Sequence, residues 1–284
     1  MKNGWLIGNG FYHSGSFDSL YASLIQEAQA LDVSLTLMFN DGLCPFPDLK
    51  KEPPPDFVLF WDKDICLAAQ LEKADIPVFN SSRSIALCDD KTLTYVTLSG
   101  VVPMPETILA PTAYYGYGDA SFLSRVEQKL SFPYVFKEGY GSFGRQVFLI
   151  HDREEGLARL NALDGKPALF QRFVSSSAGR DVRVYVCGGR CVAAMERIAP
   201  AGDFRANIMN GGTGRLHVLS KEEEEISLKS VAALDLTFGG VDLLFSPEGP
   251  LLCEVNSNAH FAGLCKASGV NIPREILLSV LSAL

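Results

Sequence analysis

An α/β fold is predicted by three features of the chain. Strand-like and helix-like segments alternate over the first ninety residues, a pair of strands further on brackets a glycine-rich loop, and the last third holds two strand pairs that read as hairpins. In order, Trp5-Leu6-Ile7 is a short apolar strand, and residues 16–31 carry Leu20, Leu24, Ala28 and Leu31 at helical spacing. Residues 33–39 alternate as a strand, and residues 57–61 form a continuous apolar strand behind the breaker Pro53-Pro54-Pro55. A helix over about 64–73 and a strand at 77–79 complete a small βαβ-type unit with a parallel sheet. Gly8-Asn9-Gly10 is a weak dinucleotide fingerprint, because His13 stands where a third glycine belongs.

One helix is expected over 82–99, followed by an extended segment at 101–107 between prolines. Strands at 134–137 and 146–149 flank the loop Glu138-Gly139-Tyr140-Gly141-Ser142-Phe143-Gly144-Arg145. A strand at 168–171 leads into Arg172-Phe173-Val174, and strands at 181–187 and 191–197 form a hairpin about Gly188-Gly189. Ser220 caps a helix reaching about Leu234, with Glu223 placed for a capping box and the run Glu222 to Glu225 as a solvated first turn.

A chain of 284 residues with 47% hydrophobic and 20% charged residues has the make-up of a globular enzyme rather than a disordered or fibrous chain. The formal charge of −8 argues against a nucleic-acid binder, so any anionic ligand must be held by local Lys and Arg. No apolar run reaches membrane-spanning length, and residues 1–8 are too short and glycine-broken for a signal peptide. Seven cysteines without a Cys-x-x-Cys pair argue against zinc and for a reducing compartment, so a cytoplasmic protein is expected.

The chemistry concentrates in Gly240-Val241-Asp242 and Glu254-Val255-Asn256. Glu254 and Asn256 are two apart and share one strand face. Ser246-Pro247-Glu248-Gly249 reads as a type I turn closing a three-residue loop, which pairs Ser246 with Pro250 and therefore Asp242 with Glu254. The three oxygen side chains then converge as a hard divalent cation requires. A loop that is neither three nor five residues long would slip the register by one and turn Asp242 and Glu254 apart. The bland alternative is a hairpin with a charged wet face; the apolar Leu243, Leu244, Phe245, Leu251 and Leu252 mark it as buried instead.

Lys137 ends its strand just before Gly139, Gly141, Ser142 and Gly144, a pattern that lets backbone N–H groups approach phosphate oxygens. A surface turn would use the same glycines. Asp181 and Arg183 point one way from their strand, and Arg205 and Asn207 share the loop at 202–207. Arg183 is open to two readings, a structural salt bridge or charge stabilisation at a reacting group.

The order Lys91, Lys137 with its glycine loop, Asp181/Arg183, Arg205/Asn207, Asp242, Glu254 and Asn256 resembles the ATP-grasp ligases, most closely the RimK-like α-L-glutamate ligase group. The likeness runs from about Cys88 to the C-terminus. It implies an ATP-grasp fold with a small N-terminal parallel α/β (pre-ATP-grasp) domain at 1–90, a central subdomain with the phosphate loop at 91–170, and a C-terminal subdomain with the metal site at 171–284. It further implies that Lys91 and Lys137 reach the ATP phosphates with Gly139, Gly141, Ser142 and Gly144, and that Arg172, Phe173 and Val174 lie at the adenine hinge. Asp181 would approach the nucleotide, Arg205 and Asn207 its phosphate side, and Asp242, Glu254 and Asn256 would hold one or two Mg2+ ions, Mn2+ being a substitute.

The implied reaction is ATP-dependent ligation of a carboxylate to an amine through an acyl phosphate, adding glutamate or another amino acid. Arg183 and Arg205 would be the catalytic charges. An ATP-grasp kinase and a non-catalytic ATP-binding scaffold are the rival readings. The implied partners are small carboxylates and amines or a peptide or protein C-terminus, with no nucleic acid and no membrane, and a homo-oligomer is compatible with them. Two departures stand out: Arg172 replaces the family's usual Glu, and Ser257-Asn258-Ala259-His260-Phe261 replaces its Pro-Gly turn. His260 is therefore either a substrate contact or a structural histidine.

Overall fold

The computed structural model describes residues 1–12, 14–44, 46, 54–114, 116–206 and 211–284. Asn207, His13 and Pro53, which entered the sequence reading, lie outside them. The chain opens with β1 (Lys2–Gly8), α1 (Gly15–Ala30), β2 (Val33–Phe39), β3 (Phe57–Phe60), α2 (Ile65–Lys73) and β4 (Val78–Phe79). The strands form a parallel sheet in the order β2-β1-β3-β4. All of β3 is buried, as a strand flanked on both sides and covered on both faces requires. α1 buries Leu20, Tyr21, Leu24 and Ala28 on one stripe, and Asp64 caps α2 by accepting from the Leu67 N–H.

The single helix expected at 82–99 is broken into α3 (Ser82–Asp89) and α4 (Lys91–Leu98). Asp90 is the break. Its backbone is extended, its carboxylate caps α4 by accepting from Thr92 N–H, and the Lys91 N–H donates to Gly139 O at 2.9 Å.

A second sheet comprises β5 (Thr107–Leu109), β6 (Tyr134–Glu138), β7 (Val147–Ile150) and β8 (Ala168–Arg172), antiparallel in the order β5-β8-β6-β7. Two helices between its strands, α5 (Leu123–Leu130) and α6 (Arg153–Asn161), close its core around Tyr134, Phe136 and Phe170.

The third sheet holds β9 (Arg180–Cys187), β10 (Arg190–Ile198), β11 (Thr213–Leu216), β12 (Phe238–Leu244) and β13 (Leu251–Asn256), in the order β11-β10-β9-β12-β13. Between β11 and β12 lies α7 (Lys221–Ala233), with the Ser220–Glu223 capping box in place; α8 (Ala262–Ser268) and α9 (Ile272–Ala283) follow β13. Strand alternation divides this sheet's side chains. Val182, Val184, Val186, Val241, Leu243, Leu252 and Val255 pack with Ile226 and Val231 of α7. Tyr185, Cys187 and Phe238 instead join Leu6 and Phe57 of the first sheet, Leu24 of α1, Trp61 just after β3, and Ile276 and Val280 of α9 in one core.

Asn80 fastens the first sheet to the third. Its amide is buried, Nδ2 donating to Phe238 O at 2.9 Å and Ser257 O at 2.8 Å while Oδ1 accepts from Thr237 N at 2.9 Å. Replacement leaves those backbone groups without partners in a dry place. Asn80→Ala should therefore cost about 3 kcal/mol or more, read from the urea midpoint, and an unchanged midpoint would mean the fastening contributes nothing.

Candidate active site

A cavity of about 540 Å³ lies where the three sheets meet, within the range of small-molecule sites. The second sheet contributes Lys137, Gln171, Arg172, Phe173 and the loop Ser142 to Arg145. The third contributes Asp181, Arg183, Arg197, Asp242, Glu254 and Asn256. Segments following β1 and β3, at the carboxyl end of the parallel sheet, close it with Asn9, Tyr12, Trp61, Asp62 and Lys63.

Asp242 and Glu254 are paired across β12 and β13, as expected, but not by a three-residue loop. Leu244 pairs with Leu251 and Leu243 with Leu252, so six residues intervene, and a bulge at Cys253 restores the register by Asp242. The bulge has a chemical effect. Consecutive residues on a regular strand face opposite ways, yet Cys253 and Glu254 both line the cavity while Leu252 stays in the core. The Cys253 thiol thus sits 3.8 Å from Lys137 Nζ.

Asp242 is not free. Arg183 binds it through two parallel bonds, Nε to Oδ1 at 2.7 Å and Nη2 to Oδ2 at 2.6 Å, and Arg197 Nη2 adds a third at 2.8 Å. Arg197 also binds Asp181 in the same forked manner, at 2.7 and 2.6 Å. Two carboxylates and two guanidiniums therefore form one buried cluster over β9, β10 and β12. Burial pushes the Asp181 carboxyl up to about 6 despite Arg197. Burial would also raise Asp242, but Arg183 and Arg197 outweigh it and hold its carboxyl below the ordinary range.

This corrects several expectations. Asp181 meets Arg197, and Arg183 meets Asp242, so both are engaged within the protein. Among the described residues no group of three or more His, Cys, Asp or Glu is placed to hold a metal. The Glu254 carboxylate nevertheless lines the cavity without a hydrogen bond or ion pair to any described residue, and the amide Nδ2 of Asn256 is buried without a partner.

Lys91 is not on the cavity wall; its Nζ donates to Gly141 O at 3.1 Å and braces the glycine loop. Of that loop, Ser142 and Gly144 line the cavity and Gly139 and Gly141 do not, Gly139 being packed on Pro167. Arg205 spans from Asp203 to the loop, Nη1 donating to Gly144 O at 2.9 Å. Phe173 and Val174 border the cavity, as does Arg172, whose guanidinium is taken up by Glu106.

Arg197, Asp62 and Cys253 were missed in the sequence. Counting from a two-residue turn at Gly188-Gly189 places Arg197 opposite Arg180; a bulge between Cys191 and Ala193 moves it opposite Asp181. His260 does line the cavity. Burial and Arg183 push its pKa below the usual range, and its Nε2 has no partner.

A parallel sheet followed by two antiparallel sheets with a cavity between them is the architecture of an ATP-grasp ligase. The chain superposes on D-alanine–D-alanine ligase from Bacillus anthracis complexed with ATP with a TM-score of 0.77, covering 99% of this chain and 97% of that one at 16% identity. The profile of the RimK-like ATP-grasp domain matches residues 89–280, and the chain belongs to that family. It is 30% identical over 261 residues to the uncharacterized protein MG012 homolog of Mycoplasma pneumoniae, covering 89% of this chain and 90% of that protein. It is 34% identical over 215 residues to human beta-citrylglutamate synthase B, covering 74% of this chain but only 54% of the longer relative.

Two measurements check the site's electrostatics. Arg197→Met should cost about 3–5 kcal/mol by urea unfolding, because it strands Asp181 in the interior. Arg183→Met should cost less, since Asp242 keeps Arg197. For His260 the sign follows from a depressed folded pKa. As pH falls through 6.5 the unfolded chain takes up a proton that the folded chain resists, so stability is lost on acidification. Thermal scans between pH 7 and 5 should show a smaller acid loss for His260→Gln than for the natural chain.

Proposed function

We propose that the protein joins a carboxylate to an amine using ATP, through an acyl phosphate. The observation that carries this reading is that Lys137 of β6, the loop Ser142 to Arg145, and Glu254 of β13 face one cavity from two sheets. Glu254 suits a hard cation, being a cavity carboxylate with no cationic partner among the described residues; Asn256 stands beside it, and Asp242 opposite it would have to release a guanidinium contact to share the ion. These three residues would hold Mg2+, which supplies Lewis-acid neutralisation of phosphate charge.

Lys137 and the loop N–H groups would hold the phosphates, and Phe173 and Val174 the base. Arg205, whose guanidinium reaches the loop at Gly144, would face the negative charge that develops as the γ-phosphoryl passes to the carboxylate, while Arg183 holds Asp242. Attack by the amine then expels phosphate and leaves an amide. The relative that carries the name beta-citrylglutamate synthase supports a glutamate-type substrate, and Asn258, Ala259 and His260 line the same cavity.

The test is an ADP-release assay with Mg2+, ATP and paired acids and amines. ADP and phosphate should appear only when acid and amine are both present; release with the acid alone at the full rate would favour a kinase. Glu254→Gln and Asp242→Asn should each lower kcat/KM by about 10²-fold or more. Undiminished turnover in both would remove the metal reading.

A further inference from the structure

One end of the cavity holds a carboxylate that no cation among the described residues neutralises. Asp62 follows β3, is only 7% exposed, and lines the cavity. Among the described residues its carboxylate is met by a neutral donor alone, Asn9 Nδ2, at 3.0 and 3.3 Å from its two oxygens. The adjacent Lys63 is committed elsewhere, to Asp89 and to Ser142 Oγ at 3.2 Å. Burying a carboxylate without a cation is costly, and a chain that keeps one beside a cavity gains no stability from it.

The surroundings point to what completes the site. Tyr12, Phe17, Tyr21 and Trp61 line the same end, giving a cation aromatic walls as well as a counter-charge. The Trp61 side chain is 1% exposed, and its indole Nε1 is buried without a partner. Its ring is stacked on Phe238 and set edge-on to Phe261 in the core, so it forms a rigid wall beside Asp62.

We propose that Asp62 binds the primary ammonium group of the amine-bearing substrate. Asp62 is then a specificity-determining residue for the ligation, and the inference rests on the ligase reading for its place in a reaction but not for the binding itself.

Titration calorimetry on the full chain with glycine, L-glutamate and 1,4-diaminobutane, each beside its N-acetylated form, tests the binding. At least one free-amine probe should bind, its acetylated form at least tenfold more weakly. Asp62→Asn should weaken the same probe at least tenfold, with ATP affinity unchanged and no fall in Tm, because the substitution removes an unpaired buried charge. Preference for the amino acids assigns the α-ammonium, and preference for the diamine a terminal one.

The proposal is overturned if no free-amine probe binds, if Asp62→Asn binds as tightly as the natural chain, or if that variant unfolds, which would make Asp62 structural. ADP release with an unaltered amine KM in Asp62→Asn overturns it while sparing the ligase reading. Ammonium binding that depends on Asp62, without ADP release from any acid and amine pair, upholds it while removing the ligase reading.

Discussion

The buried cluster of Asp181, Arg183, Arg197 and Asp242 is the interaction on which the cavity depends. These side chains stand on β9, β10 and β12, the middle of the third sheet, on the face turned away from α7. Isolated, any one of them would be intolerable in so dry a place. Together the charges balance and every guanidinium fork meets a carboxylate edge. Apolar residues at the same positions could stabilise the sheet equally well. They would close the cavity, and the polar floor on which Glu254 and Asn256 stand would be gone.

Much of this was legible in the residues. The alternation of the first ninety residues and the glycine loop behind Lys137 follow from spacing alone, whereas Asp242 meets Glu254 through a six-residue connection and a bulge in place of the three-residue loop that the spacing implied. What escaped is what bulges decide. A regular hairpin has a fixed parity, and sequence counting assumes it throughout. β10 and β13 each break that parity once, which set Arg197 against Asp181 and turned Cys253 into the cavity. Asp62 escaped for another reason: it follows a buried strand where an acidic residue reads as an ordinary solvated turn, and only the three-dimensional closure shows it enclosed.

Three cations brace the glycine-rich loop in addition to its backbone bonds. Lys91 reaches its carbonyl at Gly141, Arg205 the carbonyl at Gly144, and Lys63 the hydroxyl of Ser142. Each fastener comes from a different part of the fold, so the position of the loop reports on all three sheets. The shared core of the first and third sheets and the Asn80 bonds keep those anchor points in one frame.

The bulge at Cys253 also settles how this cavity meets oxidants and electrophiles. A sulfur on the wall of a nucleotide-sized pocket, a few ångströms from an ammonium, invites the expectation of a reactive thiolate. Burial overrides Lys137 and pushes the thiol up to about 11. At neutral pH only about one molecule in ten thousand carries the thiolate there. The wall behaves as a soft, polarizable surface that peroxide and alkylating agents find slow to attack, and the pocket can keep its sulfur without becoming a redox switch.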